Sequence, residues 1–158
     1  MKSSNTTLCY IRKNDKFLML HRTSKKNDIN KGKWIGVGGH FEEGESPDDC
    51  LIREVKEETG YILNSYLLRG IVTFNTPSLT EYMFLYISDD FSGSLIDCDE
   101  GKLEWIEINK INELNLWDGD RIFLELLVNN APFFSLKLTY DDKEKLVGAR
   151  LDGREIEF

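Results

Sequence analysis

Stretches in which apolar residues alternate with polar ones recur along most of the chain, and short polar segments separate them. Alternation over about four to eight residues is typical of β-strands with one buried face. The first two stretches flank the polar segment 13–16, which predicts a β-hairpin. The predicted strands are 6–12, 17–22, 34–39, 67–74, 82–88, 103–108, 134–140, 145–150 and a short strand after Gly153.

Two segments have the spacing of amphipathic helices. The first is predicted from Pro47 to about Thr59, with Ser46 as its N-cap and Gly60 as its stop. The second, 118–129, has apolar side chains three and four positions apart. Helices and strands together predict a mixed sheet with two principal helices, an α+β or α/β sandwich. A chain of 158 residues without repeats or linkers is expected to form a single domain, 1–158.

The charge balance and the cysteines exclude several classes of protein. The chain has 20 basic and 28 acidic residues, a formal net charge of −8, so binding to a nucleic-acid polymer is not expected. No apolar run is long enough to span a membrane and no signal-peptide pattern opens the sequence, which predicts no membrane partner and a cytoplasmic location. Three widely spaced cysteines predict reduced thiols rather than disulfides or a zinc site.

Much of the negative charge lies in one window, 41–59, where eight acidic and two basic residues give a net of −6. Within the first predicted helix, Glu54, Glu57 and Glu58 are spaced so that they share one face. Hard dications take oxygen ligands, so the cluster is a candidate site for Mg²⁺, or for Mn²⁺ in its place. The alternative is a solvated acidic helix face, which is what most charge runs are.

The cluster belongs to a set of seven residues at characteristic spacings. These are Gly39, Glu45, Arg53, Glu54, Glu57, Glu58 and Gly60. The set resembles the Nudix box of the Nudix hydrolase superfamily, although Tyr61 departs from the usual aliphatic residue after the last glycine. Segments 32–39, 99–105 and 116–120 look like the MutT branch. That resemblance implies the Nudix fold, an α+β fold of the α/β/α sandwich type with a mixed sheet between helices. It also implies Mg²⁺-dependent hydrolysis of oxidised purine nucleoside triphosphates, such as 8-oxo-dGTP, to the monophosphate and pyrophosphate.

The resemblance also implies which residues bind the metal. They are Glu54, Glu57, Glu58, Glu100 and the backbone carbonyl of Gly38. Glu54 is implied either as a ligand or as the base that orients the attacking water, and Glu100 is equally well explained as a turn residue in an acidic loop. Arg53 is implied to orient the glutamates, with a plain surface pair to Glu57 as its alternative. The loop of the box is implied to be held by Gly39, Glu45 and Gly60.

Four further residues are implied in substrate binding: Lys33, Ile35, Trp117 and Asp120. Ile35 stands where eukaryotic oxidised-purine hydrolases have an Asn that contacts the base, and segment 117–120 has one acid fewer than theirs. Trp117 would stack on the base and Asp120 would accept a hydrogen bond from its edge. A core tryptophan and a helix-capping acid are the alternatives.

Two other functions stay open on the sequence. One is a Nudix hydrolase of another nucleoside diphosphate derivative, such as a sugar nucleotide or a dinucleoside polyphosphate. The other is a Nudix-fold binding module without turnover, against which the intact glutamates argue, because a pure binder has no need for three clustered carboxylates. The expected partner is a small-molecule nucleotide, and the expected assembly is a monomer or a weak homodimer.

Overall fold

The computed structural model describes residues 2–24 and 26–158. Within them the chain forms nine strands, two α-helices and a 3₁₀ helix. The strands are β1 (Lys2–Lys13), β2 (Lys16–Arg22), β3 (Trp34–Ile35), β4 (Ile62–Asn75), β5 (Leu79–Ser92), β6 (Gly101–Glu107), β7 (Phe134–Tyr140), β8 (Leu146–Leu151) and β9 (Arg154–Glu155). The helices are α1 (Pro47–Thr59), the 3₁₀ helix (Ile108–Glu113) and α2 (Asp118–Val128).

The strands form a mixed sheet in the order β3-β2-β1-β5-β4-β7-β8-β9. In addition, β6 pairs with β2 along the whole length of β2. The β1–β5 and β4–β7 pairs are parallel, and the remaining pairs are antiparallel. β1 and β2 form the predicted hairpin. β1 lies in the centre of the sheet, so both of its faces are available for packing.

Successive residues of β1 pack on opposite faces of the sheet, as the period of two requires. Leu8 and Tyr10 lie in the core that also contains the apolar stripe of α2. Cys9 and Ile11 lie in the core that contains the buried residues of α1. Because the two helices cover opposite faces, the prediction of an α/β/α sandwich is confirmed.

Both ends of α1 are closed by the predicted residues. The Ser46 hydroxyl accepts a hydrogen bond from the Asp49 N–H at 3.0 Å, and the Asp49 carboxylate accepts one from the Ser46 N–H at 3.0 Å. Gly60 has φ 82° and donates its N–H to the carbonyl of Lys56. These local contacts fix the bounds of the helix that carries the glutamates.

Some element bounds differ from the prediction. The expected strand 34–39 is reduced to β3, because the glycines that follow run directly against β1: a Cβ on Gly36 would lie 2.6 Å from the carbonyl oxygen of Cys9. β4 and β5 are longer than expected because they pair with each other almost end to end, through several register shifts. The 3₁₀ helix was not predicted, and α2 ends at Val128, one residue earlier than expected.

None of the helices in the described part of the chain is both long enough and apolar enough to cross a membrane. Cys9, Cys50 and Cys98 are free thiols, as predicted.

Candidate active site

A cleft of about 610 Å³ opens between the glycine turn after β3, the loop after β2 and the start of α2. Its floor is formed by side chains of the central strands, among them Leu8, Phe74 and Met83. Glu54 and Glu100 line one end, and Trp117 and Asp120 also line the cleft. Acidic residues and a buried aromatic therefore face the same enclosed space.

Arg53 holds the acidic residues of the box in place. Its guanidinium donates two hydrogen bonds to Glu45, at 2.7 and 2.9 Å, one to Glu54 at 2.7 Å and one to Glu57 at 3.2 Å. It also donates to the carbonyl of His40. These hydrogen bonds lower the pKa of Glu45 to about 2 and raise the pKa of Arg53. Glu45 anchors Arg53, and Arg53 in turn orients two of the clustered carboxylates.

Glu58 points inward, unlike its neighbour Glu57. Glu58 is 6% exposed and accepts a hydrogen bond from the Gly38 N–H at 3.1 Å. Burial raises the pKa of Glu58 well above its usual range, and the nearby charge of Glu100 adds to the effect. Burial also raises the pKa of Glu54, and Glu57 and Glu100 contribute to that rise. The carboxylates at this end of the cleft thus repel one another in a poorly hydrated place.

The donor set has the chemistry of a dication site, since carboxylate oxygens facing one another are stabilised by a divalent cation. In the part of the chain that the structure describes, however, no three acidic, histidine or cysteine side chains are gathered in a geometry that could already hold an ion. The physical reason is visible: Arg53 pairs with Glu54 and Glu57, and Glu58 takes the Gly38 N–H. The side chains have to turn from these partners to bind a metal.

The two glycines of the box, one on each side of the helix, have different surroundings. Gly39 stands against the carboxylate of Glu54, and a Cβ on Gly39 would lie 2.5 to 2.7 Å from its carboxyl atoms. Gly60 ends α1 and packs on the backbone of Ser94, so it shapes the helix end and is not in the cleft lining. Gly38, with φ 153°, touches the backbone of β1.

Trp117 is 3% exposed and is held by neighbours on several sides. Its ring packs edge-on against Phe74 and Tyr140, with ring centroids 5.1 Å apart in each pair. Its indole Nε1–H donates to Asn30, and the ammonium of Lys33 lies 5.0 Å from the ring centroid. The ring therefore lines the cleft as a fixed wall, with a cation over one face.

Asp120 is buried in the first turn of α2. Its exposure is 4%, and burial raises its pKa to about 8, against the opposing charges of Lys33 and Arg121. The charge of Asp120 in turn raises the pKa of Tyr10 and Tyr140. Asp120 also lines the cleft, and a raised pKa favours the neutral carboxyl, which can donate a hydrogen bond.

The remaining two candidates lie beside this wall. Ile35, the last residue of β3, lines the cleft with an apolar side chain and has no hydrogen-bonding group to offer a base. Lys33 donates to Asn115 at 3.4 Å while its ammonium lies over Trp117.

Sequence reasoning missed three residues that line the cleft: Arg22, Asp28 and Asn30. Arg22 donates to Asp28 at 2.7 Å and to Glu100 at 2.8 Å. The Asp28 carboxylate also accepts the Asn30 N–H, which is an Asx turn. The Asp-x-Asn pattern in a polar loop was the available sequence signal for that turn, but nothing local pointed to its partners.

Comparisons with known proteins agree with this geometry. A family model described as the NUDIX domain matches residues 2–127. The chain is 33% identical to an uncharacterized Nudix hydrolase, YvcI of Bacillus subtilis (strain 168), over 157 residues and 95% of each chain. It is 28% identical to an oxidized purine nucleoside triphosphate hydrolase of Danio rerio over 130 residues, which are 81% of this chain and 83% of that one. A crystal structure of the mutator MutT protein from Bacillus halodurans superposes with a TM-score of 0.85 and 25% identity, covering 94% of this chain and 97% of that chain. On its sequence, its fold and the residues around its cleft, the chain belongs to the Nudix hydrolase family.

Proposed function

We propose that the protein is a Mg²⁺-dependent nucleoside triphosphate pyrophosphohydrolase of MutT type. Its substrates are purine nucleoside triphosphates, oxidised ones such as 8-oxo-dGTP among them, and its products are the monophosphate and pyrophosphate. One observation carries the proposal: a single cleft is lined by Glu54 of the box and Glu100, and also by the buried Trp117 and Asp120. A nucleotide needs both features, one for its phosphates and one for its base.

The residues that would hold the metal are Glu54, Glu57, Glu58, Glu100 and the carbonyl of Gly38. A dication bound there supplies charge neutralisation to the phosphate oxygens, which is the main requirement of phosphoryl chemistry. Mn²⁺ would serve in place of Mg²⁺, because the same oxygen donors suit both ions.

The chain's own groups position the reaction. Arg53 holds Glu54, which lines the cleft, and the exposed Glu57, and the Gly38 N–H holds Glu58. Glu54 lies in the cleft lining with a raised pKa, which suits a group that takes the proton of the attacking water. Glu45 acts through Arg53 and does not touch the substrate.

Base recognition rests on Trp117 and Asp120. The apolar floor made by Leu8, Phe74 and Met83 suits a flat ring, and Trp117 forms the wall beside it. The sequence predicts that Asp120 accepts a hydrogen bond from the base; since burial raises its pKa to about 8, we propose that its neutral carboxyl donates one at neutral pH. The ring edge that meets Asp120 should therefore offer an acceptor below pH 8.

The test is a panel of nucleotides incubated with Mg²⁺ and scored for products by chromatography. Monophosphate and pyrophosphate from 8-oxo-dGTP or dGTP support the proposal. If only sugar nucleotides or dinucleoside polyphosphates are cleaved, the substrate class is wrong, and if no substrate turns over, the protein is a binder. EDTA should abolish hydrolysis and added Mg²⁺ should restore it.

Variants sharpen the assay. Asp120→Ala removes the hydrogen-bonding group, so it should change the ratio of kcat/KM for 8-oxo-dGTP over dGTP, whereas Asp120→Asn keeps a donor and should preserve that ratio below pH 8. Glu104→Gln, an exposed acid paired with Lys102 on β6, is the matched control and should leave that ratio unchanged. An unchanged ratio in Asp120→Ala would remove Asp120 from base recognition.

A further inference from the structure

An unbroken series of hydrogen bonds runs from the acidic end of the cleft to Trp117. Glu100 accepts from Arg22 at 2.8 Å, and Arg22 donates to Asp28 at 2.7 Å. The other carboxyl oxygen of Asp28 accepts the Asn30 N–H at 3.1 Å, and the Asn30 side-chain oxygen accepts the indole N–H of Trp117 at 2.8 Å. We call this series the Arg22 relay.

The charged members of the Arg22 relay are well shielded from water. The side chains of Arg22 and Asp28 are 11% and 6% exposed, and that of Glu100 is 25% exposed. Charge-assisted hydrogen bonds in such surroundings are strong and directional, and removing one partner leaves the other charge buried and unpaired. Arg22 therefore has its orientation fixed by two carboxylates that belong to different parts of the cleft.

We propose that Arg22 is a positioning residue that couples the acidic end of the cleft to the Trp117 end. Through Glu100 it is attached to a residue that would hold the metal, and through Asp28 and Asn30 to the wall that would contact the base. This inference rests on the proposed function for the meaning of the two ends, but the contacts that carry it do not depend on the substrate.

The physical consequence is a coupling free energy between the two ends. Glu100 also interacts with Glu58, so a change in charge at the acidic end alters how firmly Glu100 holds Arg22. Any turn of Arg22 moves Asp28, which is tied by its second oxygen to the loop that carries Asn30. The orientation of Trp117 should respond, although it is not a neighbour of Glu100 in the sequence.

The first test needs no substrate. In a ¹⁵N–¹H correlation spectrum the three tryptophans give three indole signals, and Trp117→Phe identifies the signal of Trp117. We expect that signal to move in Glu100→Gln and in Asp28→Asn, and to stay in place in the control Glu104→Gln. Glu100 lies at the more exposed end of the relay, so its variant should fold. A Trp117 signal that is unmoved in Glu100→Gln would overturn the proposal.

The second test is a double-mutant cycle on binding of a nucleoside monophosphate in EDTA, where no turnover occurs. Each variant removes a negative charge, which by itself should tighten binding of an anion. The Arg22 relay predicts the opposite: about five-fold weaker binding in either Glu100→Gln or Asp28→Asn, and no further loss in the double variant. Tighter binding, or losses that add, would refute it.

The two proposals fail differently. If the nucleotide panel shows no pyrophosphate release, the proposed function is wrong, yet the Trp117 signal still reports whether the relay couples the two ends. If hydrolysis proceeds as proposed but the Trp117 signal does not move in Glu100→Gln, only the role of Arg22 is wrong.

Discussion

The raised pKa of Asp120 predicts that stability depends on pH in a way that one substitution removes. Its pKa is about 8 in the folded protein, against an ordinary value of 3.8, so between these values the folded state holds a proton that the unfolded state has lost. The contribution is fully present below about pH 4 and is lost as the pH rises through 8. Linkage sets a ceiling of about 1.4 kcal/mol per pH unit, or roughly 4 kcal/mol between pH 5 and pH 8.

Asp120→Asn measures this pH-dependent contribution to stability, because asparagine has the same shape and no proton to lose. Urea denaturation of both proteins at pH 5, 6, 7 and 8, followed by tryptophan fluorescence, gives the difference in unfolding free energy. We expect the unfolding free energy of the variant to increase relative to that of the wild type as the pH rises, by about 1–4 kcal/mol between pH 5 and pH 8. Lys33 and Arg121, which lower the pKa, and Tyr10 and Tyr140, which face the carboxyl, are unchanged in both proteins. A difference that stays constant within about 0.5 kcal/mol would refute the reasoning.

Three further predictions concern the box. Glu45→Ala should lower kcat by about 10- to 100-fold through the loosened arginine, and Glu57→Ala should lower it more; equal losses in parallel rate measurements would contradict this order. Gly39→Ala should leave the melting temperature nearly unchanged but cut kcat about 100-fold, since the atoms nearest to its Cβ belong to the flexible end of Glu54. Gly38→Ala should instead destabilise the fold by about 1–3 kcal/mol or more, because the new Cβ meets the backbone of β1 and Gly38 has a positive φ. An unshifted melting curve would contradict this prediction, since it would mean that the backbone of β1 moves aside at no cost.

The acidic helix could be predicted from the sequence because its determinants are local. Ser46 and Gly60 set its ends through contacts within four residues, and the spacing of the glutamates follows from the helical period. How deeply each glutamate side chain is buried could not be predicted in this way. Glu58 is buried and the side chain of Glu57 is 60% exposed, although they are adjacent, because burial depends on how the glycine turn passes over the helix.

The Arg22 relay could not be found from the sequence, because its partners are far apart in the chain. Arg22 and Glu100 are 78 positions apart, and Asn30 and Trp117 are 87 apart. Such pairs form only when β2 and β6 pair and α2 closes over the loop after β2. The raised pKa of Asp120 has the same origin, since its cause is burial by the fold, which outweighs the opposing charges of Lys33 and the adjacent Arg121.

The like charges of α1 are balanced only in part. Arg53 contacts Glu54 and Glu57, which offsets the repulsion that their helical spacing creates. Glu58 instead meets a neutral N–H and lies close to Glu100, and the arginine that donates to Glu100, Arg22, also donates to Asp28. A dication would relieve the repulsion between Glu58 and Glu100 in this buried place, and we expect it to be held most firmly between them.

Glu58→Gln tests two effects of the negative charge on Glu58: the stability that it costs the metal-free protein and the metal affinity that it provides. The amide oxygen of Gln can still accept the Gly38 N–H, while the repulsion with Glu100 and the cost of burying a charge are lost. The metal-free variant should therefore melt at a higher temperature than the wild type, and its Mn²⁺ affinity, measured by electron paramagnetic resonance of the free ion, should fall by about ten-fold or more. Glu57→Gln is the matched control, since that side chain is exposed and paired with Arg53, and it should show no gain in stability. A lower melting temperature in Glu58→Gln would mean that the charge on Glu58 stabilises the fold without a metal, and the dication would lose its strongest physical argument.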